Sequence, residues 1–186
     1  MVKVNSCVFI SGSGSNLKSL IKNSRNHNFP IKINLIISNN TNAYGLKYAK
    51  KYNIPYKFYS YKSRNFFERN CLKELKKRKI KFLCLAGFMK VLSKYFIKNF
   101  RYKIINIHPS LLPKFKGLDT HRRVLENKEK YTGCTVHYVS SKLDSGNIIL
   151  QKKILIRKNE TVNTLKKRVL KQEHKLYSKA IISIFR

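Results

Sequence analysis

Acidic residues are scarce in this chain: 8 Asp and Glu stand against 41 Lys and Arg among 186 residues, for a net charge of +33. Long apolar runs are also missing. No stretch approaches the roughly 18 uninterrupted apolar residues that cross a bilayer as a helix, and the first residues lack the apolar core and small-residue cleavage site of a secretory leader. A cytoplasmic protein with no membrane partner is the expectation. Cysteine occurs only at Cys7, Cys71, Cys84 and Cys134. Those positions match neither a zinc-ligand spacing nor a CxxC redox pair, and no two of the five His residues lie at a ligand-like interval. Buried free thiols and no metal are therefore expected.

The apolar share of 42% is ordinary, and apolar runs recur along the whole chain, so the charge does not imply disorder. At about 150 residues per domain, residues 1–186 are expected to form a single domain. A basic chain invites a nucleic-acid reading, because Lys and Arg neutralise phosphates and release counterions. The distribution argues against it: 7, 14, 9 and 11 cations fall in residues 1–50, 51–100, 101–150 and 151–186, so no tail or stripe exists. Of the 41 cations, 31 are Lys and 10 are Arg, whereas base and phosphate recognition favours the planar Arg fork. Lys, Asn, Ile, Tyr and Phe together number 90, and Ala, Gly, Pro and Arg only 25. These groups have AT-rich and GC-rich codons respectively, so genomic nucleotide bias is the preferred source of the charge. Neighbouring genes without that bias would sink this explanation. Nucleic acid is not expected as a partner, but the field should attract small anions.

Val4 to Ile10 is a β-branched apolar run ending in Ser11-Gly12-Ser13-Gly14-Ser15-Asn16, after which Leu17, Leu20 and Ile21 recur at helical spacing. The pattern then predicts strands over 31–37 and 56–59 with a helix over 44–52 between them. A helix over 64–79 follows, then a strand over 82–86, a helix over 92–100 and a strand over 104–107. Further strands are predicted over 135–139 and 148–156, and a final helix over 162–185. This alternation argues for an α/β fold, a doubly wound, mostly parallel sheet with a Rossmann-like amino-terminal half. Ligands in such folds bind beyond the carboxyl ends of the strands. The sites are therefore expected on the turns 11–16, 87–92, 106–113 and 140–147.

The glycine-rich turn permits close backbone approach to an anion at a helix start. It is neither GxGxxG nor a Walker loop, so a dinucleotide or ATP site is not expected. An ordinary turn with Ser15 as helix cap is the alternative. In Asn106-Ile107-His108-Pro109 the strand period points Asn106 and His108 to the same side. An amide donor and an imidazole then share one mouth, a pairing suited to acyl transfer: Asn106 stabilises an oxyanion and His108 handles a proton. Asp144, one of only two aspartates, would favour the imidazolium if it came near; both turns are expected at the same sheet edge. No Ser or Cys stands in a nucleophile elbow, which favours direct transfer over a covalent enzyme intermediate. Glu173 could receive an ammonium or a sugar hydroxyl, or simply pair with a lysine. Phe88, Met89, Val91 and Leu92 could wall a flat heterocycle or belong to the core.

With these residues in view, the chain resembles the phosphoribosylglycinamide formyltransferases of the folate-dependent formyltransferase family. The resemblance rests on Ile10-Ser11-Gly12-Ser13-Gly14-Ser15-Asn16-Leu17, Leu85-Ala86-Gly87-Phe88-Met89, Asn106-Ile107-His108-Pro109-Ser110-Leu111-Leu112-Pro113, Gly133 to His137, and Gln172-Glu173-His174. It implies a formyltransferase fold with 10-formyltetrahydrofolate and 5-phosphoribosylglycinamide as substrates. Gly14, Ser15 and Asn16 would hold the ribonucleotide phosphate and Glu173 its ribose or glycinamide portion. Arg64, Met89, Lys90, Val91 and Leu92 would bind the folate, with Asn106, Ser140 and Asp144 lining its pterin end. Asn106, His108 and Asp144 match the family's catalytic trio. A monomer or weak homodimer is expected.

Three features depart from the family pattern: Lys90 stands where the family carries Arg, Leu170 where a polar phosphate contact is expected, and the sequence stops at Arg186 where relatives continue. The rival readings are a formyltetrahydrofolate hydrolase, a methionyl-tRNA formyltransferase and a basic nucleic-acid-binding module. The first two are expected to carry an additional domain, and the third a recognition motif or a basic run interleaved with aromatics.

Overall fold

The amino-terminal half alternates strand and helix as its hydrophobic periods require. In the computed structural model, which describes residues 2–186, β1 (Val4–Ile10), β2 (Ile31–Ser38), β3 (Tyr56–Phe58), β4 (Phe82–Leu85) and β5 (Ile104–His108) lie parallel. Helices α1 (Ser15–Ser24), α2 (Leu46–Lys51), α3 (Arg64–Lys77) and α4 (Lys94–Phe100) connect them. Beyond β5 come α5 (Thr120–Glu126), β6 (Tyr131–Tyr138), β7 (Ile148–Leu155) and α6 (Val162–Ile184). The sheet order is β3-β2-β1-β4-β5-β6-β7, a doubly wound half extended by two antiparallel strands.

Central strands covered on both faces read as unbroken apolar runs, and in β1 Cys7, Val8, Phe9 and Ile10 are fully buried. One face packs Val8, Ile10, Ile36 and Cys84 against Leu17, Leu20 and Ile21 of α1 and Leu165, Val169 and Ile181 of α6. The other packs Cys7, Phe9 and Leu83 against Phe67, Cys71 and Leu75 of α3 and Phe96 of α4. Two devices in this core place the site. Phe88 stacks on Phe67 at 5.6 Å and meets Phe9 edge-on at 5.4 Å, fixing the turn after β4. The buried Tyr177 hydroxyl donates to the Leu85 carbonyl at 2.9 Å, with the Ile105 carbonyl 3.2 Å away, tying α6 to the middle of the sheet.

Helix starts follow the side chains that can cap them. Ser63 accepts from the Phe66 N–H and Ser93 from the Phe96 N–H, so α4 begins two residues later than the apolar pattern suggests. Glu68, buried in α3, accepts from the Ser93 N–H at 2.7 Å and from its hydroxyl, which pins the end of the 87–92 turn to α3. In α6 Thr161 and Thr164 form a reciprocal capping box. The sequence reading has no counterpart for α5, a seven-residue helix too short and too charged to show a period. It also starts β6 four residues late, because Gly133 interrupts the apolar run; there an added Cβ would lie 2.1 Å from the Lys152 carbonyl oxygen. All four cysteines are free and buried, and burial pushes the Cys84 and Cys134 thiols up to about 12.

Candidate active site

Gly14, at φ 72°, is the cap residue of α1, and Ser15 is the first helical residue, so the alternative of Ser15 as cap does not hold. No side chain caps this helix. Its first amides are left for another acceptor, with the positive end of the helix behind them. The left-handed conformation alone favours glycine, and so does the packing: a Cβ on Gly14 would lie 2.4 Å from the Gly45 Cα. Gly45, which the sequence reading passed over, brings the start of α2 against this turn and donates its N–H to the Gly12 carbonyl at 3.0 Å. Asn16 faces the sheet side of α6, where its Nδ2 donates to Glu173 Oε2 at 2.6 Å. Burial pushes the Glu173 carboxyl up, partly offset by that bond and by Lys166. The Asn16 Oδ1 is buried with no partner, an acceptor waiting for a donor. Gly14, Ser15, Asn16 and Glu173 therefore meet in one place.

Asn106 and His108 do point to one side of β5, and Asp144 does reach His108, at 3.3 Å from Oδ2 to Nδ1. The route differs from the expected one. Because β6 runs antiparallel to β5, its carboxyl end lies beside Ile105, at the start of β5, and not beside His108. The turn after β6 therefore leaves from the opposite edge, and Asp144, at φ 44°, arrives by folding back over the sheet face. The Gly117 N–H holds its Oδ2 at 2.9 Å, and Lys116 Nζ donates to the Ser145 hydroxyl at 2.6 Å. His108 Nε2 lies 2.8 Å from the Phe115 carbonyl, which can only accept. Nε2 therefore carries hydrogen, and Nδ1 is the atom that faces the carboxylate.

His137 is the residue that sequence reasoning missed, although it ends one of the segments that carry the resemblance. Antiparallel pairing sets it directly opposite Asn106. Its Nδ1–H donates to the Tyr138 carbonyl at 2.8 Å, leaving Nε2 as an acceptor for Asn106 Nδ2 at 3.3 Å and 3.7 Å from Asp144 Oδ1. Burial holds this imidazole below its ordinary pKa, the Tyr138 and Asp144 oxygens pull it up, and His108 and Lys116 push it down. A neutral His137 thus orients the Asn106 amide, leaving the second Nδ2 hydrogen free. His121, on α5, is also electrostatically coupled to this centre. Burial, Lys166 and His108 lower its pKa to about 4, and its Nδ1 is buried without a partner.

The 87–92 turn lies beside this centre. Met89 is 62% exposed and Lys90 is exposed, while Val91 is half-buried and Leu92 buried. Arg64, the first residue of α3, donates from Nε to the Tyr61 hydroxyl at 3.3 Å, and Lys90 Nζ sits 4.9 Å from the Tyr61 ring centre. Arg64 and Lys90 therefore share one tyrosine. Leu118 and Leu143, 70% and 50% exposed, flank the residues that hold Asp144. Together with Met89 they supply apolar surface from the turns that carry the polar groups, as a flat heterocycle requires. Ser140 is half-buried, and its hydroxyl donates to the Lys142 carbonyl within its own turn. Leu170 is half-buried on α6, three residues before Glu173, and brings no polar group to that face.

The formyl transferase family pattern matches residues 4–181. Phosphoribosylglycinamide formyltransferase of Escherichia coli K12 is 36% identical over 177 residues, covering 94% of this chain and 84% of the relative. The human trifunctional purine biosynthetic protein adenosine-3 is 41% identical over 182 residues, and there the chain spans 18% of the relative's length. Crystal structures of phosphoribosylglycinamide formyltransferase from Anaplasma phagocytophilum and Brucella melitensis both superpose with TM-scores of 0.93 at 38% identity. Each covers 98% of this chain, and the chain covers 87% and 96% of them respectively.

Proposed function

The chain belongs to the formyl transferase family, and from that premise we propose that it moves the formyl group of 10-formyltetrahydrofolate to the amine of 5-phosphoribosylglycinamide, a step of purine biosynthesis. In this reading residues 1–186 act as one catalytic domain in the cytoplasm, as a monomer or weak homodimer. The observation that carries the reaction type is the Asp144–His108 pair at 3.3 Å beside an Asn106 amide held by a neutral His137.

The ribonucleotide phosphate lies on the uncapped start of α1, over Gly14, Ser15 and Asn16, where free amides and the helix dipole favour an anion. Glu173 and the unpartnered Asn16 Oδ1 take the ribose hydroxyls or the glycinamide end. The folate's apolar ring system rests against Met89, Val91, Leu92 and Leu143, with Ser140 beside the pterin. Arg64 and Lys90 draw its carboxylates, Lys90 as a point charge without the bidentate fork of arginine.

The amine nitrogen then attacks the formyl carbon and forms the new C–N bond, and the carbonyl electron pair moves to oxygen. The free Nδ2 hydrogen of Asn106 meets that oxygen, and the His108 imidazole, held by Asp144 at 3.3 Å, lies beside it. Collapse breaks the bond to N10 of the folate. Bond formation turns the attacking amine into an ammonium, and the proton it then loses passes to N10 as that nitrogen leaves, with His108 Nδ1 as relay and Asp144 holding the ring in place. The products are formylated ribonucleotide and tetrahydrofolate.

The test is the absorbance change on deformylation of 10-formyltetrahydrofolate by purified protein, with and without the ribonucleotide, beside a His108→Ala control. Release that needs both the nucleotide and His108 is the expected result. Release without nucleotide identifies a hydrolase, and no release under any condition refutes the transferase reading.

A further inference from the structure

Ser11 follows β1 directly and lies outside the residues assigned above to either substrate. Every hydrogen-bonding group it owns reaches into another turn. Its amide donates to the Gly87 carbonyl at 3.1 Å, and its carbonyl accepts from Asn40 Nδ2 at 3.1 Å. Its hydroxyl donates to Asn39 Oδ1 at 2.6 Å, which leaves a lone pair to accept the Met89 N–H at 2.9 Å. The turns after β1, β2 and β4 therefore meet at one side chain. On one side of it begins the phosphate turn; on the other, Met89 opens the folate segment.

We propose that Ser11 is a positioning residue that couples the two substrate sites, so that each substrate binds more tightly once the other is in place. The inference rests on the function proposed above. Gly12 and Ser13 are exposed, and nothing lies within 4 Å of where a Gly12 Cβ would be. Met89 and Lys90 are equally open. Gly45 holds the Gly12 carbonyl and Phe88 anchors the base of the other turn, but the residues at both tips face solvent, so each tip loses conformational freedom when a ligand settles on it. A ribonucleotide that immobilises the Gly14 to Asn16 amides also fixes the Ser11 hydroxyl, and through it the Met89 amide. The folate then meets a turn whose ordering cost has already been met. By linkage, the same factor must act in the opposite direction.

Calorimetric titration with the unreactive pair 5-phosphoribosylglycinamide and tetrahydrofolate tests this. In the wild type, saturating either ligand should lower the Kd of the other by the same factor, about tenfold. In Ser11→Ala each ligand alone should bind within about threefold of wild type while the coupling factor falls to within about twofold of unity. Ser11→Thr, which keeps the hydroxyl, should retain the factor. Asn39→Ala, which frees the hydroxyl to rotate, should reduce it, and it carries the comparison should Ser11→Ala fold poorly. A merely structural role would weaken each ligand alone and leave the factor intact, which overturns the proposal. So does a wild-type factor of unity with both ligands bound. A wild type that binds neither ligand overturns the functional reading itself, and this inference with it.

Discussion

Two cavities, of about 800 and 670 Å3, open at the amino-terminal edge of the parallel strands, and both are strongly cationic. Lys3, Arg25, Lys32 and Arg78 line the first, and Lys73, Lys76, Lys79, Lys81 and Arg101 the second. At the carboxyl-terminal edge the polar groups converge instead: Asn106, His108, His137 and Asp144 lie within 3.3 to 3.7 Å of one another's polar atoms. The difference follows from helix direction. At the amino edge the helices end, and cations gather because unpaired carbonyls attract them. Lys3 Nζ donates to the Ser24 and Asn26 carbonyls at 2.7 and 2.5 Å, Arg25 stacks 4.6 Å above the Tyr52 ring, and Arg78 is bound to Glu74 at 2.5 Å. At the carboxyl edge α1 begins, with free amides instead of free carbonyls. The volume and charge of these two cavities therefore do not single out the proposed site; the direction of the helix ends and the convergence of acceptors and donors do.

The contrast is broken most severely at the polar centre. His108→Ala or Asp144→Asn should lower kcat by about 10² to 10⁴-fold with tetrahydrofolate affinity largely kept, read by the deformylation assay and by calorimetry. Turnover near wild type would remove the carboxyl edge as the reaction centre. Gly14→Ala comes next. Its Cβ would meet the Gly45 backbone at a φ that disfavours alanine, and the cost should be about 2–4 kcal/mol in urea unfolding.

A smaller effect belongs to acid. His121 is held neutral in the fold, with its pKa lowered from 6.5 to about 4, so the unfolded chain binds the extra proton in that interval. Its contribution to stability is present above pH 6.5 and is lost as the pH falls through about 4. His121→Asn should flatten the fall of Tm across this window, and an unchanged slope would show that other groups control it. Smallest of all, Lys73→Glu with Lys79→Glu at the amino edge should change kcat/KM by less than about threefold at 0.15 M salt, the residue of the effect fading as salt screens the field. A larger loss would make the amino edge functional.

Local periods made the core elements legible. The buried runs of β1 and β4 and the apolar stripes of α1, α3 and α6 lie within a residue or two of where spacing placed them, and Gly12 to Asn16 reads as a strand-to-helix turn because glycine and serine are chemically suited to one. The departures occur where a distant partner decides. Ser93, bonded to Glu68, moved the start of α4; α5 has no period to show; and Gly45 matters only because Gly14 lies against it.

The sequence alone therefore determined the class of fold, the strand that carries Asn106 and His108 on one side, and the residues with chemistry to offer. Those follow from the two-residue period of a strand, from turn chemistry and from the rarity of acids. Only the tertiary structure decided that β6 runs antiparallel, that Asp144 returns across the sheet face to His108, that His137 stands opposite Asn106, and that Ser11 joins three turns. Each of these joins residues separated by 27 to 78 positions along the chain. Such pairings are set by strand direction and packing between elements, quantities that no local stretch of residues encodes.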